Sequence, residues 1–250
     1  MSIRETFYNS SFLNKLKIQK TRDIWVNQQL KNLPKDSIIL DAGCGSQRYR
    51  ESCRHLNYKA QDFGKYTQDD MEGFDESIGN QKGFDPSVTS QNSYVYGELD
   101  YVGDICSIQE EDSYFDAILC TEVLEHLTNP RDAIKELVRV LKPGGIIILT
   151  APTHSLKHMD PYHFYTGFTN RFYEQLSEDF SCELISMEQN LDYYGVMALE
   201  VARSMSKMSF LLWPFLLPAF FVFYLIRETS ISKNAYTYGY HVILKKLSKR

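Results

Sequence analysis

Apolar residues are spaced along the chain as expected for alternating strands and helices. The runs Ser37–Asp41 and Ile146–Leu149 predict buried strands, because continuous apolar runs are typical of parallel strands covered on both faces. Apolar residues within Ile134–Leu141 fall at i, i+3, i+4 and i+7, which predicts a helix with one apolar face. The other predicted elements are a helical segment over 10–33 and strands over Tyr58–Asp62, Asp100–Asp104, Tyr114–Cys120 and Tyr238–Leu244. This alternation predicts an α/β fold, a doubly wound and mostly parallel sheet with helices on both faces.

Two segments interrupt the alternation. Residues 63–98 are acidic and rich in glycine and serine, and they show no period, so we interpret them as an acidic insertion. Residues 191–236 form a second insertion, which contains the apolar segment 210–226, 17 residues without a charge. We therefore predict one domain over residues 1–250, with N-terminal helices over 1–36 and these two insertions.

Charge and cysteine content narrow the function classes. The net charge of −5 argues against a nucleic-acid partner, since proteins that bind nucleic acids are usually basic. The charge is uneven, because residues from Arg203 onward carry +7 and leave −12 on residues 1–202. The five cysteines form no C-x-x-C pair, and the first residues lack the apolar run of a signal peptide. Both features favour a reducing compartment, with the cytoplasm as the expected location.

The sequence Asp41-Ala42-Gly43-Cys44-Gly45 follows the first strand and is typical of a loop that holds a cofactor. Glycines let the backbone approach a ligand closely, and a helix predicted from about Ser46 would offer it free N–H groups. The dinucleotide fingerprint G-x-G-x-x-G would need a third glycine where this chain has Arg48. That difference argues against NAD as the cofactor.

Polar residues also end the next three predicted strands. Asp62, 19 residues after Gly43, can accept both hydroxyls of a ribose. Asp104 and Cys120-Thr121 end the two strands that follow. Because ligands of open α/β sheets bind outside the carboxyl ends of the strands, we expect these residues to line one crevice.

Residues 38–151 resemble the class I S-adenosylmethionine-dependent methyltransferases of the type-11 group. The motifs that carry the resemblance are Ile38–Gly45, Asp62, Gly103–Ile105, Phe115–Cys120, Glu122–Leu127 and Arg139–Gly145. The resemblance implies a Rossmann-like sheet of seven strands, an antiparallel last strand and S-adenosylmethionine as the cofactor. One position departs from the family pattern, since Gln47 stands where a third glycine is frequent.

The resemblance also implies a set of cofactor-binding residues. They are, in chain order, Asp41, Gly43, Cys44, Gly45, Asp62, Asp104, Ile105, Cys120 and Thr121. The turn over 41–45 would hold the methionine part of the cofactor, and Asp62 would bind the ribose. Asp104 would face the adenine amino group, with Ile105 beside the ring. Glu122 is expected to face the methionine end.

The segment 151–169 leaves the carboxyl end of the central strand and contains three of the six histidines. It resembles the H-x-x-P-Y-H-F-Y-T-G-F block of a methyltransferase subgroup often associated with polysaccharide and glycan gene sets. The block suggests His158 or His163 as a general base. Tyr162 and Tyr165 would shape the acceptor pocket, and Tyr162 completes the candidate catalytic set.

Two other interpretations of this segment stay open. One is a metal site, whose ligands would be His154, His158, Asp160 and His163. Because these residues lie in a loop and lack the spacing of one helix face, we predict no metal. The other is a packed aromatic loop in which the histidines only satisfy local hydrogen bonds. Glu125 and His126, which follow the fourth strand, are expected to cap or tie the next helix.

The apolar segment 210–226 lies at the lower limit of length for a membrane span, and its two prolines, Pro214 and Pro218, are expected to interrupt a helix. A single crossing would also separate the last strand from its sheet. We therefore predict peripheral membrane contact, with the segment in one leaflet or on a partner and with Trp213 and Tyr224 at the interface. The alternative is a buried subdomain that covers the acceptor pocket.

The sequence thus predicts methyl transfer from S-adenosylmethionine to a small or lipid-linked acceptor, with a sugar hydroxyl as one candidate. An alternative acceptor is a quinone-like lipid, which the apolar segment would also suit. A further alternative is a scaffold protein that binds the cofactor without catalysis. Binding partners are expected to be small molecules or lipid-linked molecules and not nucleic acid.

Overall fold

A seven-stranded sheet organises the part of the chain that the structure, a computed structural model, describes: residues 7, 9–65, 96–156, 158–159 and 161–248. The strands are β1 Ile38–Ala42, β2 Asn57–Asp62, β3 Tyr101–Val102, β4 Phe115–Thr121, β5 Leu141–Pro152, β6 Cys182–Gln189 and β7 Gly239–Lys246. Their order is β3-β2-β1-β4-β5-β7-β6; β1 to β5 pair in parallel, and β7 runs antiparallel to β5. This confirms the predicted sheet and its antiparallel last strand. Most of the acidic insertion predicted over 63–98 lies outside the described residues.

The helices differ from the predicted ones in two places. They are α1 Ser11–Asn14, α2 Ile18–Lys31, α3 Pro130–Val140, α4 Asn170–Asp179, α5 Tyr193–Lys207, α6 Trp213–Ile226 and α7 Ser230–Ala235. The helical segment expected over 10–33 is thus divided into α1 and α2. The helix expected from about Ser46 is wrong, because turns lead there to a short 3-10 helix at Arg50–Cys53. Gly45 and Gln47 have φ of 52° and 57°, and such left-handed residues cannot continue an α-helix.

Both faces of the sheet are covered, as the apolar strands predict. Alternate residues of a strand point to opposite faces, and the buried residues follow this rule. One cluster includes Leu40, Ile118 and Ile147 with the apolar face of α3. The opposite cluster includes the adjacent residues of the same strands, Ile39, Leu119 and Ile148, with Trp25, Val26 and Leu30 of α2. The carboxyl ends of β1, β2 and β4 therefore open at one edge of a sheet that is rigidly packed on both sides.

The described residues divide into two compact units. The first, within 24–73, 93–188 and 239–250, contains the sheet and both clusters on its faces. The second, within 1–23 and 189–238, contains α1, α5, α6 and α7. Its own core joins α1, α5 and α6 through residues that include Leu13, Leu199 and Phe220. A single domain over 1–250 stays a prediction.

The apolar segment forms a 3-10 helix at Phe210–Leu212 followed by α6. The expected interruption at the prolines is wrong, because α6 is continuous across Pro218. Pro214 lies in the first turn, where the missing N–H would have no partner within the helix. Trp213 and Tyr224 are also not at an interface, since both are buried and the Trp213 indole N–H donates to the Met205 carbonyl at 3.1 Å. Within the described ranges, each helix is too short or too polar to cross a membrane.

Lys246, in the last strand, holds the end of α3. Its ammonium donates to the carbonyls of Val138 and Leu141, each at 2.6 Å. These carbonyls lie where the helix leaves its acceptors unsatisfied and its dipole is negative. We predict that Lys246→Met lowers the free energy of unfolding by about 1–3 kcal/mol, the usual contribution of hydrogen bonds to a charged group. Urea unfolding measures this loss. Lys245→Met, at the exposed neighbouring position, is the matched control, and an equal loss in both variants would contradict the assignment.

Candidate functional site

The turn after β1 is held against the ends of two neighbouring strands. Gly43 has φ of 71°, and a Cβ at this position would lie 2.5 Å from a methyl group of Val123, just after β4. Only glycine allows this approach. On the other side, the N–H groups of Gly43 and Cys44 both donate to the Gln61 carbonyl at 2.9 Å. The turn is therefore fixed between β2 and the segment that follows β4.

Asp62 is the polar centre of this region. It is buried, its Oδ2 accepts from the Gly45 N–H at 2.9 Å, and its Oδ1 accepts from the Gly64 N–H at 3.1 Å. The Tyr96 hydroxyl also donates a hydrogen bond to this carboxylate. Burial raises the pKa of Asp62. The carboxylate thus organises the glycine turn and already accepts a hydroxyl donor.

Three of the expected cofactor-binding side chains point into the protein. Asp41 is buried and accepts from the Tyr58 hydroxyl at 2.6 Å. Burial raises the pKa of Asp41 to about 7, and the nearby Asp62 adds to this rise. Burial also raises the pKa of Cys44 and of Cys120, so neither thiol is reactive. These three residues can meet a ligand only through their backbone atoms, since their side chains are at most 8% exposed.

The remaining expected residues follow β3 and β4. Asp104 is exposed, and its Oδ1 accepts from the Cys106 N–H at 2.8 Å. Ile105 is buried in the cluster that packs on α3, while Thr121 is half-buried at the end of β4. An open pocket beside Asp104 is lined by residues of 100–104, 107–109 and Gln61. The structure therefore brings Asp62 and the glycine turn into contact and leaves Asp104 accessible beside them.

A cluster of three histidines forms where β4 and β5 end. The N–H groups of Phe164 and Tyr165 donate to the Glu125 carbonyl at 3.0 and 3.1 Å, which fastens the loop after β5 to the 3-10 helix Leu124–His126. The His158 ring lies 4.8 Å from that of His126 and 4.7 Å from that of His163, measured between ring centroids. Glu125 therefore fastens this loop and His126 packs against one of its rings, while their expected role in capping or tying the next helix stays a prediction.

Each histidine of the cluster has a specific hydrogen bond. The Nδ1 atoms of His126 and His158 meet the carbonyls of Tyr162 and Leu156 at 2.9 and 2.7 Å. Nε2 of His163 lies 3.0 Å from Ser155 Oγ. Burial lowers the pKa of His126 to about 4, and His158 contributes to this shift. His126 is therefore neutral at physiological pH.

Two of the four residues of the alternative metal set, His158 and His163, lie together in the histidine cluster. His154 is exposed, and Asp160 lies outside the described residues. Among the residues that the structure describes, the group with metal-binding spacing is Glu125, His126 and His158. In the sequence, Glu125 and His126 are marked only by their position directly after β4, next to the predicted crevice. Their approach to His158 depends on the loop conformation, which the residue pattern does not encode.

The histidine cluster is in contact with the carboxyl end of β2 through Tyr162. The Tyr162 ring packs edge-on against Phe63, with 5.3 Å between centroids, and Phe63 directly follows Asp62. Tyr162 also supplies the carbonyl that accepts from His126. One residue of the loop thus contacts both the end of β2 and the histidine cluster.

Comparison with protein families and known proteins adds independent information. Residues 40–149 match one family described as a methyltransferase domain, and residues 100–202 match a second family of the same description. A tRNA (carboxymethyluridine(34)-5-O)-methyltransferase of Arabidopsis thaliana is 32% identical over 48% of this chain and 25% of its own length. The ubiquinone biosynthesis O-methyltransferase of Xanthomonas oryzae is 30% identical over 45% of this chain and 41% of its own length. The chain thus spans less than half of the length of these relatives.

Solved structures support the fold over a longer range. A candidate methyltransferase of Bacillus halodurans has a TM-score of 0.52 at 15% identity and covers 91% of this chain and 100% of its own. The [4+2]-cyclase SpnF has a TM-score of 0.53 at 17% identity, over 92% of this chain and 82% of its own. At such identities the likeness shows the fold alone. The two family matches together identify residues 40–202 as a methyltransferase domain, which uses S-adenosylmethionine as its cofactor.

Proposed function

We propose that this chain transfers a methyl group from S-adenosylmethionine to a hydroxyl of a lipid-linked acceptor. The observation that carries the proposal is the histidine cluster at the carboxyl ends of β4 and β5, in contact with the end of β2 through Tyr162 and Phe63. A base beside the cofactor end of the sheet is what a hydroxyl acceptor needs, because a hydroxyl loses its proton when its oxygen is methylated. The acidic charge of the chain disfavours a nucleic-acid acceptor.

The residues of the glycine turn fit the cofactor. When bound, S-adenosylmethionine supplies a methyl group that its positive sulfur already activates. Gly43 and Gly45 leave the backbone of the turn without side chains, and Asp62 accepts a hydroxyl now, as it would accept the ribose hydroxyls. Asp104 has an exposed carboxylate for the adenine amino group. Asp41, Cys44, Ile105, Cys120 and Thr121 support this surface or contribute backbone atoms.

We predict that Asp62→Ala weakens S-adenosylmethionine binding by about 10- to 100-fold, because it removes the acceptor of the ribose hydroxyls and loosens Gly45. Calorimetric titration measures the affinity. Asp112→Ala is the control, since that side chain is 77% exposed and pairs with Arg139 away from the turn. An unchanged affinity in Asp62→Ala would exclude the assigned ribose role.

The proposed general base is His163, whose ring meets the Ser155 hydroxyl. The Ser155 hydroxyl has one proton, which it donates to the Thr166 carbonyl at 2.9 Å. With that proton on Thr166, Nε2 of His163 donates to Ser155 Oγ. We assign the His163 imidazole as the general base. Tyr162 positions the loop, and His158 is not needed in this role.

The acceptor class follows from general chemistry and from the relatives. A polyprenyl-substituted catechol represents the quinone-like lipids, in keeping with relatives named as ubiquinone biosynthesis O-methyltransferases. A polyprenyl-linked sugar represents the glycan acceptors. The two classes share a hydroxyl on a lipid, and the rate of S-adenosylhomocysteine formation with each distinguishes them. Saturable cofactor binding without turnover on either would favour the scaffold alternative.

We predict that His163→Gln slows turnover on the better of these two acceptors by about 100-fold or more, the usual contribution of a general base, and leaves cofactor affinity unchanged. The control is His154→Gln, which alters an exposed histidine of the same loop. Equal turnover in wild type and His163→Gln would show that the base lies elsewhere. A loss of cofactor affinity in the variant would instead indicate a structural role.

Peripheral membrane contact is the second part of the proposal, and α6 supports it. Trp213, Phe220 and Tyr224 of this helix are buried in the second unit. The opposite side is apolar as well, and its Phe215, Val222 and Leu225 are 79%, 55% and 75% exposed. Positions 211, 215, 218, 222 and 225 follow the three- and four-residue spacing of one helix face. Such a face is stabilised when it enters the apolar boundary of a lipid layer.

We predict that Phe215→Ser combined with Leu225→Ser lowers binding to phosphatidylglycerol-containing vesicles by about 100-fold or more. Each side chain contributes about 1.5–3 kcal/mol when it leaves water. Vesicle sedimentation measures the bound fraction. The control is Ile24→Ser, which replaces an apolar residue of α2 that is 59% exposed. Equal vesicle binding by the wild type and the double variant would contradict the membrane role of α6.

A further inference from the structure

We propose that Glu125, His126 and His158 bind one divalent metal ion beside the cofactor crevice. The carboxylate and the two imidazoles can each offer one ligand atom, and these atoms lie within 4.8 Å of one another. Nε2 of His126 is 3.9 Å from Oε1 of Glu125. Metal–ligand bonds of about 2.0–2.2 Å place neighbouring ligands about 3–3.6 Å apart, so the side chains need to close by roughly an ångström.

The hydrogen bonds of both histidines suit metal ligands. A carbonyl oxygen only accepts, so Nδ1 of His126 donates its proton to Tyr162 and Nδ1 of His158 donates to Leu156. In each neutral ring the lone pair is therefore on Nε2. Metal-ligating histidines typically have this arrangement, in which one nitrogen donates to a carbonyl or carboxylate and the other binds the ion. His126 and His158 therefore both present Nε2 as the atom that can bind a metal ion.

The backbone also fixes the relative position of the two ligand-bearing segments. Glu125 and His126 belong to the 3-10 helix after β4, and the carbonyl of Glu125 accepts from two N–H groups of the loop that contains His158. Glu125 is 1% exposed, and a carboxylate at this depth is stabilised by a cation. All three ligands lie in the unit that contains the sheet. The site is therefore held by rigid elements on one side and by a fastened loop on the other.

The ligand types indicate the class of metal. Two imidazoles with one carboxylate suit ions such as Zn²⁺, Mn²⁺ or Fe²⁺, whereas Mg²⁺ and Ca²⁺ prefer oxygen ligands. Three protein ligands leave coordination positions open for another molecule. If the proposed function holds, an oxygen of the hydroxyl acceptor is the natural occupant, with His163 at 4.7 Å from the ring of His158. Metal binding itself does not depend on methyl transfer and can be measured without it.

The test uses the full chain after treatment with a chelator and dialysis. Calorimetric titration with ZnCl₂ should give one site per chain, and MgCl₂ at the same concentrations should give a much weaker signal. His158→Gln and Glu125→Gln should each weaken Zn²⁺ binding by about 100-fold or more, since outer hydrogen-bond partners alone contribute about 10- to 100-fold. His154→Gln is the matched control and should bind like the wild type. The control also separates this set from the one that includes His154.

Two further measurements keep the outcomes distinct. Circular dichroism and S-adenosylmethionine titration of each variant show whether the fold and the cofactor site are intact, so a folding defect is not mistaken for a lost ligand. The mildest variant for this purpose is His158→Gln, because its residue lies in a loop and is only half-buried. Absence of a one-to-one Zn²⁺ site in the wild type, or wild-type affinity in folded His158→Gln, would overturn the proposal. Zn²⁺ binding without turnover would leave the metal site standing and reject the proposed methyl transfer.

Discussion

The close approach of Gly43 to Val123 is the constraint on which the site depends. β1 lies between β2 and β4, and its turn can pass over the end of β4 only because residue 43 has no side chain. The chain then continues from Val123 into the 3-10 helix that carries Glu125 and His126. A side chain at position 43 would separate the glycine turn from this helix. The same contact therefore fixes both the glycine turn and the 3-10 helix that carries Glu125 and His126.

Two buried carboxylates lie at this edge of the sheet, and burial raises the free energy of their charged forms. Asp41 and Asp62 are both buried, and each raises the energy of the other's charged form. The Tyr58 hydroxyl and the backbone N–H groups of the turn offset part of that cost. In the proposed cofactor site, the ordered position of Asp62 reduces the entropy that binding must remove, which is how a preformed site gains affinity.

The sequence predicted the sheet well because parallel strands covered on both faces leave a plain signal. β1, β4 and β5 contain the short apolar runs 38–40, 117–120 and 146–149, and the glycine turn marks the end of β1. The sequence could not show that the helix expected after the turn does not form. Gln47 adopts a left-handed conformation there, which its residue type does not reveal. The contact between His126 and the loop after β5 was also missed. It depends on how this loop folds back, because the hydrogen bond joins His126 to Tyr162, more than thirty positions away.

The three histidines form a set of closely packed rings with unlike orientations. The His158 ring lies 4.8 Å from that of His126 and 4.7 Å from that of His163, measured between centroids. Backbone carbonyls hold the proton on Nδ1 in His126 and His158, whereas Ser155 holds it on Nε2 in His163. The proposed metal ligands, His126 and His158, therefore differ from the proposed base, His163, in the oxygen that each ring meets. The backbone carbonyls and the Ser155 hydroxyl set this difference between side chains that are chemically identical.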